Sequence, residues 1–247
     1  MRLHGQKVLI TGGSTGIGLA LAKAFRRAGS DVAICGRDQR RLDAAASEAD
    51  AKAVRADVAN TDELGRLVQS AETMLSGLSI LVNNAGVQFN YGFPTSLSQD
   101  TLPLIEKEIR INLVAPAKLV SLCVPLLSRE PEAAVVNISS GLAIVPKASA
   151  PIYCATKAGL HGFSKALRYQ FEDAGLPVKV FEVLPPLVDT DMTRGRGSGK
   201  ITPEEVASAT MDGMRRDHYE VRVGKTRLLW WINRVAPSLA EKILRNS

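Results

Sequence analysis

The stretch Lys7-Val8-Leu9-Ile10-Thr11-Gly12-Gly13-Ser14-Thr15-Gly16-Ile17-Gly18 decides the fold of this 247-residue chain. Its apolar first half predicts a buried strand, and its spaced glycines lead into a helical pattern. Gly12 permits a tight turn, Gly16 lets backbone N–H groups approach a phosphate, and Gly18 lets the helix pack close to the sheet. The positive end of the helix dipole also suits a diphosphate. The stretch predicts a nucleotide-binding loop, with a plain turn as the alternative.

Strand-like and helix-like segments alternate along the chain. The strands are predicted at Lys7–Thr11, Asp31–Cys35, Ala53–Asp57, Ser79–Asn83, Ala134–Ile138, Val178–Leu184 and Tyr219–Val223. The helices are predicted at Gly16–Ala28, Gln39–Ala49, Asp62–Leu75, Leu97–Ile109, Leu113–Leu127 and Ile152–Ala174, and from Thr202 to about Asp217. The alternation predicts an α/β fold, a Rossmann-like doubly wound parallel sheet of about seven strands with helices on both faces.

Composition narrows the class of protein. Hydrophobic residues are 45%, charged residues 23% and aromatic residues 5%, which is typical of a globular domain. No apolar cluster reaches the roughly 18 residues of a membrane span, and the N-terminus has no signal-peptide core. Three cysteines and three scattered histidines form no metal-ligand spacing. We expect one cytoplasmic nucleotide-binding domain over residues 1–247, with no metal, and 192–247 as substrate loop and C-terminal extension.

Positive charge is concentrated near the C-terminus. The net charge is +6, and residues 194–247 hold 11 Lys/Arg against 6 Asp/Glu. The charges come singly and no nucleic-acid-binding motif is present, so a solvated surface is the preferred interpretation and no nucleic-acid partner is expected. The loop Arg194–Lys200 is expected to be mobile.

The residues after the second predicted strand bear on the choice of cofactor. An acidic residue usually follows this strand in NAD-binding sheets and bonds the ribose hydroxyl. Here Arg37 follows, and a guanidinium can hold a 2′-phosphate. This favours NADP(H), with NAD(H) and a solvent-exposed turn residue as the alternatives.

Tyr153 and Lys157 lie four residues apart on a predicted helix, so they share one face. A free tyrosine has a pKa near 10, and a neighbouring ammonium group is expected to lower it. Ser140 follows the strand Ala134–Ile138, at the sheet edge where ligands bind, and its hydroxyl is placed to hold a substrate oxygen beside the phenol.

Together these motifs resemble the short-chain dehydrogenase/reductase family over about residues 5–192. The resemblance implies catalytic roles for Asn112, Ser140, Tyr153 and Lys157. It implies that the cofactor is bound by Gly12, Ser14, Thr15, Gly16, Ile17, Gly18, Arg37, Asp57, Val58, Asn84, Ala85, Gly86, Tyr153, Lys157, Pro185, Val188 and Thr190. The segment from Ser140 to Lys157 is also similar to that of oxidoreductases encoded beside lipoteichoic-acid D-alanylation genes, which does not fix a substrate.

One departure lies after the sixth strand, where Pro185-Pro186 stands in place of the usual Pro-Gly. The resemblance implies hydride transfer between nicotinamide and a carbonyl or secondary alcohol, with Tyr153 as general acid or base and Asn112 refilling its proton through water. A homodimer or homotetramer, paired through the helices 113–127 and 152–174, is expected on the same ground.

The substrate class stays open. The expected walls, Gln88–Phe93, Leu142–Ala150 and Pro186–Thr202, are mostly apolar, which favours a neutral or amphipathic small molecule. Lys147 and the basic loop are candidates for receiving an anionic tail. Two alternatives are kept, a non-catalytic dinucleotide-binding regulator and a membrane-surface-associated reductase of a lipid-like substrate. For the helical stripe of Leu228, Trp231, Ile232 and Val235, packing on the core or a sister subunit is preferred over membrane contact.

Overall fold

Seven strands form the centre of the protein in a computed structural model that describes residues 1–94 and 98–245. They are β1 (Lys7–Thr11), β2 (Asp31–Gly36), β3 (Lys52–Arg55), β4 (Ile80–Asn83), β5 (Ala133–Ile138), β6 (Val178–Leu184) and β7 (Glu220–Arg222). Each overlaps its predicted segment. β3 ends two residues early, which places Asp57 in the following turn.

The strands are parallel and lie in the order β3-β2-β1-β4-β5-β6-β7. The chain winds outward from β1 to β3 and then returns to β4 on the other side of β1. Winding therefore reverses between β1 and β4, and a crevice opens there at the carboxyl ends of the strands. The predicted doubly wound parallel sheet is confirmed.

Helices cover both faces of the sheet. They are α1 (Gly16–Arg27), α2 (Gln39–Ala49), α3 (Thr61–Leu75), α4 (Ser98–Ile109), α5 (Ala115–Leu127), α6 (Pro151–Asp173), α7 (Pro203–Arg215), α8 (Thr226–Val235) and α9 (Pro237–Leu244). Leu97, the predicted start of the fourth helix, lies outside the described residues. The predicted start of α7 is confirmed, because Thr202 and Glu205 bond each other's backbone N–H groups at 3.2 and 2.7 Å.

Alternate apolar residues along the strands point into two separate hydrophobic cores, one on each face of the sheet. Val8 and Ile10 of β1 pack toward α1, α2 and α7, whereas Leu9 packs toward α3, α5 and α6. Both sides are apolar because a parallel strand is covered on both faces. The sheet is therefore a rigid base for side chains that emerge at its carboxyl edge.

A π-helical turn, Arg110–Val114, joins α4 to α5. Within the continuous helical stretch Gln99–Leu127, an 18-residue window with mean hydropathy 1.5 is long and apolar enough to cross a membrane by length and composition alone, which the sequence interpretation overlooked, and 39% of that window is buried. Leu119, Cys123 and Leu127 are buried in the second core, and α5 packs on α3 and on the sheet. A buried core helix passes the same test of length and composition.

The C-terminal helices differ from the expectation. The apolar stripe of α8 does not pack on the core of this chain, because Leu228, Trp231 and Val235 are 64%, 58% and 80% exposed. Ile232 is half-buried and faces a cavity. α8 begins after the last strand, packs on α9, and lines the cavity with Leu228, Leu229 and Ile232.

Candidate active site

The glycine loop that leads from β1 into α1 has no room for side chains at four glycines, and at Gly13 a Cβ would lie 2.5 Å from Ile34 Cβ. Gly12 has φ +64°, and a Cβ there would lie 2.9 Å from Ala85 Cα. Gly16 has φ +53°, and its Cβ would lie 2.9 Å from Thr190 Cγ2. At Gly18 a Cβ would overlap the carbonyl oxygen of Gly12. No side chain therefore stands between the crevice and the backbone N–H groups of the first turn of α1.

Thr11 joins this loop to the end of β4. Its buried hydroxyl accepts hydrogen bonds from the backbone N–H groups of Asn84 and Ala85, both at 3.1 Å, and donates to Val82 O at 3.3 Å. Asn84 Nδ2 in turn donates to the carbonyl oxygens of Thr11 and Gly12, both at 3.0 Å. The two walls of the crevice at the winding reversal are thus held at a fixed separation.

A cavity of about 1080 Å³ opens at the carboxyl edge of the sheet. The predicted site residues in its walls are Gly12, Ser14, Thr15, Gly16, Ile17, Arg37, Asp57, Val58, Asn84, Ala85, Gly86, Ser140, Tyr153, Lys157, Pro185, Val188 and Thr190. Gly18 and Asn112 are not among the wall residues. Gly18 instead lets α1 pack closely against the loop, and Asn112 lies behind the residues that form the wall.

The end of the cavity near β2 and β3 is rich in arginine. Arg37 is exposed beside Gly36, and Arg55 Nε donates to the Arg37 carbonyl oxygen at 3.4 Å. The carboxylate of Asp38 accepts from Arg41 N at 3.1 Å and so caps α2. Asp57 Oδ1 accepts from Ala59 N at 3.0 Å in the turn after β3.

Arg41 is a cavity residue that the sequence interpretation missed. It lies in the first turn of α2, four residues after Arg37, and forms an ion pair with Asp191 of the loop that follows β6. Its place in the first turn of the helix that follows Arg37 was the available signal. Its partner could not be inferred because the two residues are 150 positions apart.

Tyr153 and Ser140 meet at the β5 side of the cavity, as predicted. Burial raises the pKa of the Tyr153 hydroxyl to about 12, and a hydrogen bond with Ser140 opposes this rise. The Ser140 hydroxyl also accepts from Leu142 N at 3.1 Å, which fixes its position. The expected lowering of the Tyr153 pKa by Lys157 is wrong for this structure, because burial dominates.

Lys157 is buried behind Tyr153. Its Nζ lies 5.7 Å from the centroid of the Tyr153 ring and donates to Ile138 O at 2.7 Å. Burial lowers the pKa of Lys157 to about 8, and the charge of Glu182 acts in the opposite direction. The ammonium group therefore has one hydrogen bond to protein, and further N–H donors remain for a ligand at the cavity wall.

Asn112 sits in the π-helical turn that joins α4 to α5. Its side-chain oxygen accepts from Val87 N at 2.9 Å, and its Nδ2 donates to Val87 O at 2.8 Å and to Thr156 Oγ1 at 3.2 Å. Both amide hydrogens are thus used by protein. The side chain positions the segment after β4 against α6, and a water relay stays a prediction.

Two asparagines tie the strand ends to α6. Asn83 Nδ2 donates to Asn137 Oδ1 at 2.9 Å, and Asn137 Nδ2 donates to Ser164 Oγ at 2.9 Å. Because all three residues are buried, these bonds are protected from water. They fix the distance between β5, which is followed by Ser140, and the helix that carries Tyr153.

The loop after β6 is bonded to the segment after β5 through its first proline. Pro185 O accepts from Gly141 N at 2.9 Å, a bond that requires only a carbonyl. Farther along, Val188 pairs with Ile201, and Thr190 forms hydrogen bonds with Thr193. Val188 and Thr190 therefore line the cavity from a loop that is held together by its own hydrogen bonds.

These features fit a dinucleotide. The cradle at Gly12 and Gly16 is one that a Cβ would fill, and it lies at the positive end of α1. The cavity continues from this cradle past the arginines in one direction and to Tyr153 in the other. A long ligand with a central diphosphate matches that arrangement.

Comparison with known proteins supports the same interpretation. The sequence model of the short chain dehydrogenase family matches residues 6–200. The uncharacterized oxidoreductase DltE of Bacillus subtilis (strain 168) is 39% identical over 228 residues, 90% of this chain and 89% of DltE. The very-long-chain 3-oxoacyl-CoA reductase of Macaca fascicularis is 30% identical over 244 residues, 95% of this chain and 76% of that protein.

A solved structure shows the same fold. The crystal structure of a short chain dehydrogenase/reductase from Burkholderia phymatum in complex with NAD superposes with a TM-score of 0.87, at 21% identity. The match covers 100% of this chain and 97% of that one. On the family match and the identity to its relatives, this chain belongs to the short-chain dehydrogenase family of oxidoreductases.

Proposed function

We propose that this protein is an NADP(H)-preferring oxidoreductase that interconverts a carbonyl and a secondary alcohol, with Tyr153 as general acid or base. The observation that carries the proposal is the meeting of Tyr153, Ser140 and Lys157 in the cavity that begins at the glycine loop. A regulator that only binds a dinucleotide would need the loop and not this group of side chains.

Each side chain has one task in the proposed reaction. When bound, the nicotinamide dinucleotide supplies or accepts the hydride. The hydroxyls of Ser140 and Tyr153 hold the substrate oxygen and stabilise its developing negative charge. Tyr153 donates a proton to that oxygen during reduction and accepts it during oxidation. The charged Lys157 stabilises the phenolate that results.

The electrostatics suit reduction. Because burial raises the pKa of Tyr153 to about 12, the hydroxyl carries its proton at neutral pH and is ready as an acid. Lys157, with a pKa lowered to about 8, is still mainly charged at pH 7. Oxidation requires the phenol to give up this proton first, so it is expected to be favoured at higher pH.

The test of the reaction is Tyr153→Phe, with Tyr169→Phe as the matched control. Tyr169 lies on the same helix but is 52% exposed. We expect Tyr153→Phe to bind NADPH as the parent does and to lose about 10²–10⁴ in kcat, the usual contribution of a general acid. NADPH oxidation on a panel of ketones and aldehydes measures this. Parental turnover by Tyr153→Phe would overturn the mechanism, and NADPH binding without turnover by the parent would favour a regulator.

The preference for NADP(H) rests on charge. Arg37 and Arg41 line the end of the cavity that follows β2 and β3, where a ribose-binding acid would otherwise be expected. In the N-cap and first turn of α2 there is one carboxylate, that of Asp38. It already accepts a hydrogen bond as the N-cap of that helix. We expect Arg37→Ala to weaken NADPH about ten- to a hundredfold, the worth of a charged hydrogen bond, and to leave NADH nearly unchanged. Equal weakening of both, measured by fluorescence titration, would contradict the preference.

A second candidate, a membrane-surface-associated reductase of a lipid-like substrate, is favoured by one observation. The exposed apolar residues of α8 and α9 are Leu228, Trp231, Val235, Leu239 and Ile243. Leu228 and Ile243 also line the cavity, so an apolar surface continues into it. In liposome sedimentation with anionic vesicles, Trp231→Gln should reduce binding, whereas Met74→Gln, an exposed residue of α3, should not. No binding by the parent chain would exclude this candidate.

Other expectations stay predictions. We propose a homodimer or homotetramer through α5 and α6, which present Leu122 and Tyr169 at their exposed faces. The cytoplasmic location, the single-domain organisation and the mobility of the basic loop are retained on the same footing. Analytical ultracentrifugation of the intact chain would decide the oligomeric state.

A further inference from the structure

Two cations converge inside the cavity without a carboxylate. With its side-chain amide turned over, Gln88 accepts hydrogen bonds through its oxygen from Lys147 Nζ and Arg196 Nη1, both at 3.1 Å, and gives up the bond that its Nε2 otherwise donates to Asn90 Oδ1 at 3.0 Å. Gln88, Lys147 and Arg196 are half-buried and line the cavity. Within residues 1–94 and 98–245, neither cation forms an ion pair, whereas the half-buried Lys200 of the same loop as Arg196 pairs with Asp189 at 3.1 Å.

Without a bound anion, the positive charges of Lys147 and Arg196 repel each other, which is electrostatically unfavourable. Burial lowers the pKa of Lys147, and the charge of Arg196 lowers it further. A neutral amide oxygen only partly compensates two positive charges, because a carboxylate or phosphate in its place would add full charge–charge attraction. The nearest buried carboxyl, Glu108, is used elsewhere and accepts from Phe89 N at 3.1 Å and Tyr91 OH at 3.4 Å.

The pair lies at the reacting end of the cavity. Lys147 N donates to Cys154 Sγ at 3.4 Å, next to Tyr153 in the first turn of α6. The charge of Arg196 acts on the Tyr153 hydroxyl. The cradle for a diphosphate, at the start of α1, and the arginines for a 2′-phosphate, after β2, are formed by other parts of the chain. These two cations therefore face the substrate.

Resting on the proposed function, we propose that Lys147 and Arg196 form an anion-binding subsite, so that the preferred substrates are carbonyl compounds that carry a carboxylate or phosphate. Gln88 occupies the position between the cations and gives way to an anionic oxygen or shares the cations with it. This refines the expectation of a neutral or amphipathic substrate: the apolar walls receive the body of the substrate, and the two cations receive its charge.

The test compares matched substrates. Keto acids of increasing chain length are assayed with NADPH beside their methyl esters and beside keto-alkyl phosphates of the same length. We expect kcat/KM to favour at least one anionic substrate over its neutral match by about ten- to a hundredfold, the effect of a charged hydrogen bond. The carboxylate and phosphate arms show which anion fits. A parent enzyme that turns over esters as well as every anionic match would overturn the subsite.

Variants locate the effect. Lys147→Gln and Arg196→Gln should each lose most of the preference for the anion, measured as the ratio of kcat/KM for the acid to kcat/KM for its ester. Gln88→Glu places a carboxylate of the same shape between the cations and should lose the preference too. The control is Arg194→Gln, which removes the same charge two residues away, from a side chain that is 83% exposed. Loss of the preference in this control would mean that overall charge, and not the subsite, selects the anion.

A binding measurement separates the two proposals. The favoured keto acid is titrated by calorimetry into parent enzyme saturated with NADP⁺ and into Lys147→Gln. If no compound is turned over but the acid binds the parent and not the variant, the proposed reaction fails and the subsite stands. If esters are turned over and the acid does not bind, the subsite fails and the reaction stands.

Discussion

The Thr11 hydroxyl is predicted to hold together the two sides of the cofactor crevice, and Thr11→Val removes it with little change in shape. The residue is 2% exposed, so its hydroxyl has little contact with water. In the parent the hydroxyl uses all of its hydrogen-bonding capacity, accepting from Asn84 N and Ala85 N at 3.1 Å and donating to Val82 O at 3.3 Å.

The magnitude follows from these bonds. Valine leaves two backbone N–H groups without their acceptor, and each buried unsatisfied donor costs about 1–3 kcal/mol. Because both N–H groups lie near the cavity, water can approach them in part. We therefore expect the free energy of unfolding to fall by about 2–3 kcal/mol, near the lower end of the combined range.

Urea denaturation at constant pH measures the change, and dinucleotide titration measures its effect on the site. Asn84 also bonds the carbonyl oxygens of Thr11 and Gly12, so a displaced Asn84 should disturb the loop and weaken NADPH by about tenfold. Thr11→Ser keeps the hydroxyl and should retain both properties. Thr73→Val makes the same change on an exposed turn of α3 and should alter stability by less than about 0.5 kcal/mol. A Thr11→Val protein with the parental midpoint and slope would refute the reasoning.

Two further predictions concern the same region and the back of α6. Gly16→Ala should bind NADPH more weakly than the parent in the same titration, because φ is +53° and the new Cβ would lie 2.9 Å from Thr190 Cγ2; equal affinity would contradict the tight cradle. The hydrogen bond to buried Glu182 raises the pKa of His161, so its stabilising contribution is present below about pH 6.5 and is lost as pH rises through the raised value. Urea midpoints of the parent and of His161→Gln should therefore converge with rising pH, and parallel curves would show that the pair adds nothing.

The sequence predicted the fold well because, in a parallel sheet that is covered on both faces, each strand has a local sequence pattern that can be recognised. Each strand is a short apolar run, and each helix start has a local cause, such as the bonds between Thr202 and Glu205. The errors are of one or two residues at the ends, where a turn competes with the strand, as at Asp57. The exposure of the apolar stripe of α8 was harder to predict, because periodicity shows that a helix face is apolar but not what covers it.

The candidate site was predicted in part. The glycine loop, Tyr153, Lys157 and Ser140 are brought together as expected, because their spacing along strand and helix fixes them at one edge of the sheet. The ion pair of Arg41 with a residue 150 positions away was not predictable from spacing. The direction of the Tyr153 pKa shift was also mistaken, because burial is a property of the whole environment and outweighs a neighbouring charge.

The amino-acid order alone predicted the winding of the sheet, the loop proposed to receive a diphosphate and the side chains proposed to react, since these depend on local pattern and on neighbours within one or two helical turns. Only the tertiary structure decided that Gln88, Lys147 and Arg196 converge, because they come from three separate loops. Charge and burial act through space, and a linear sequence does not state which groups share that space.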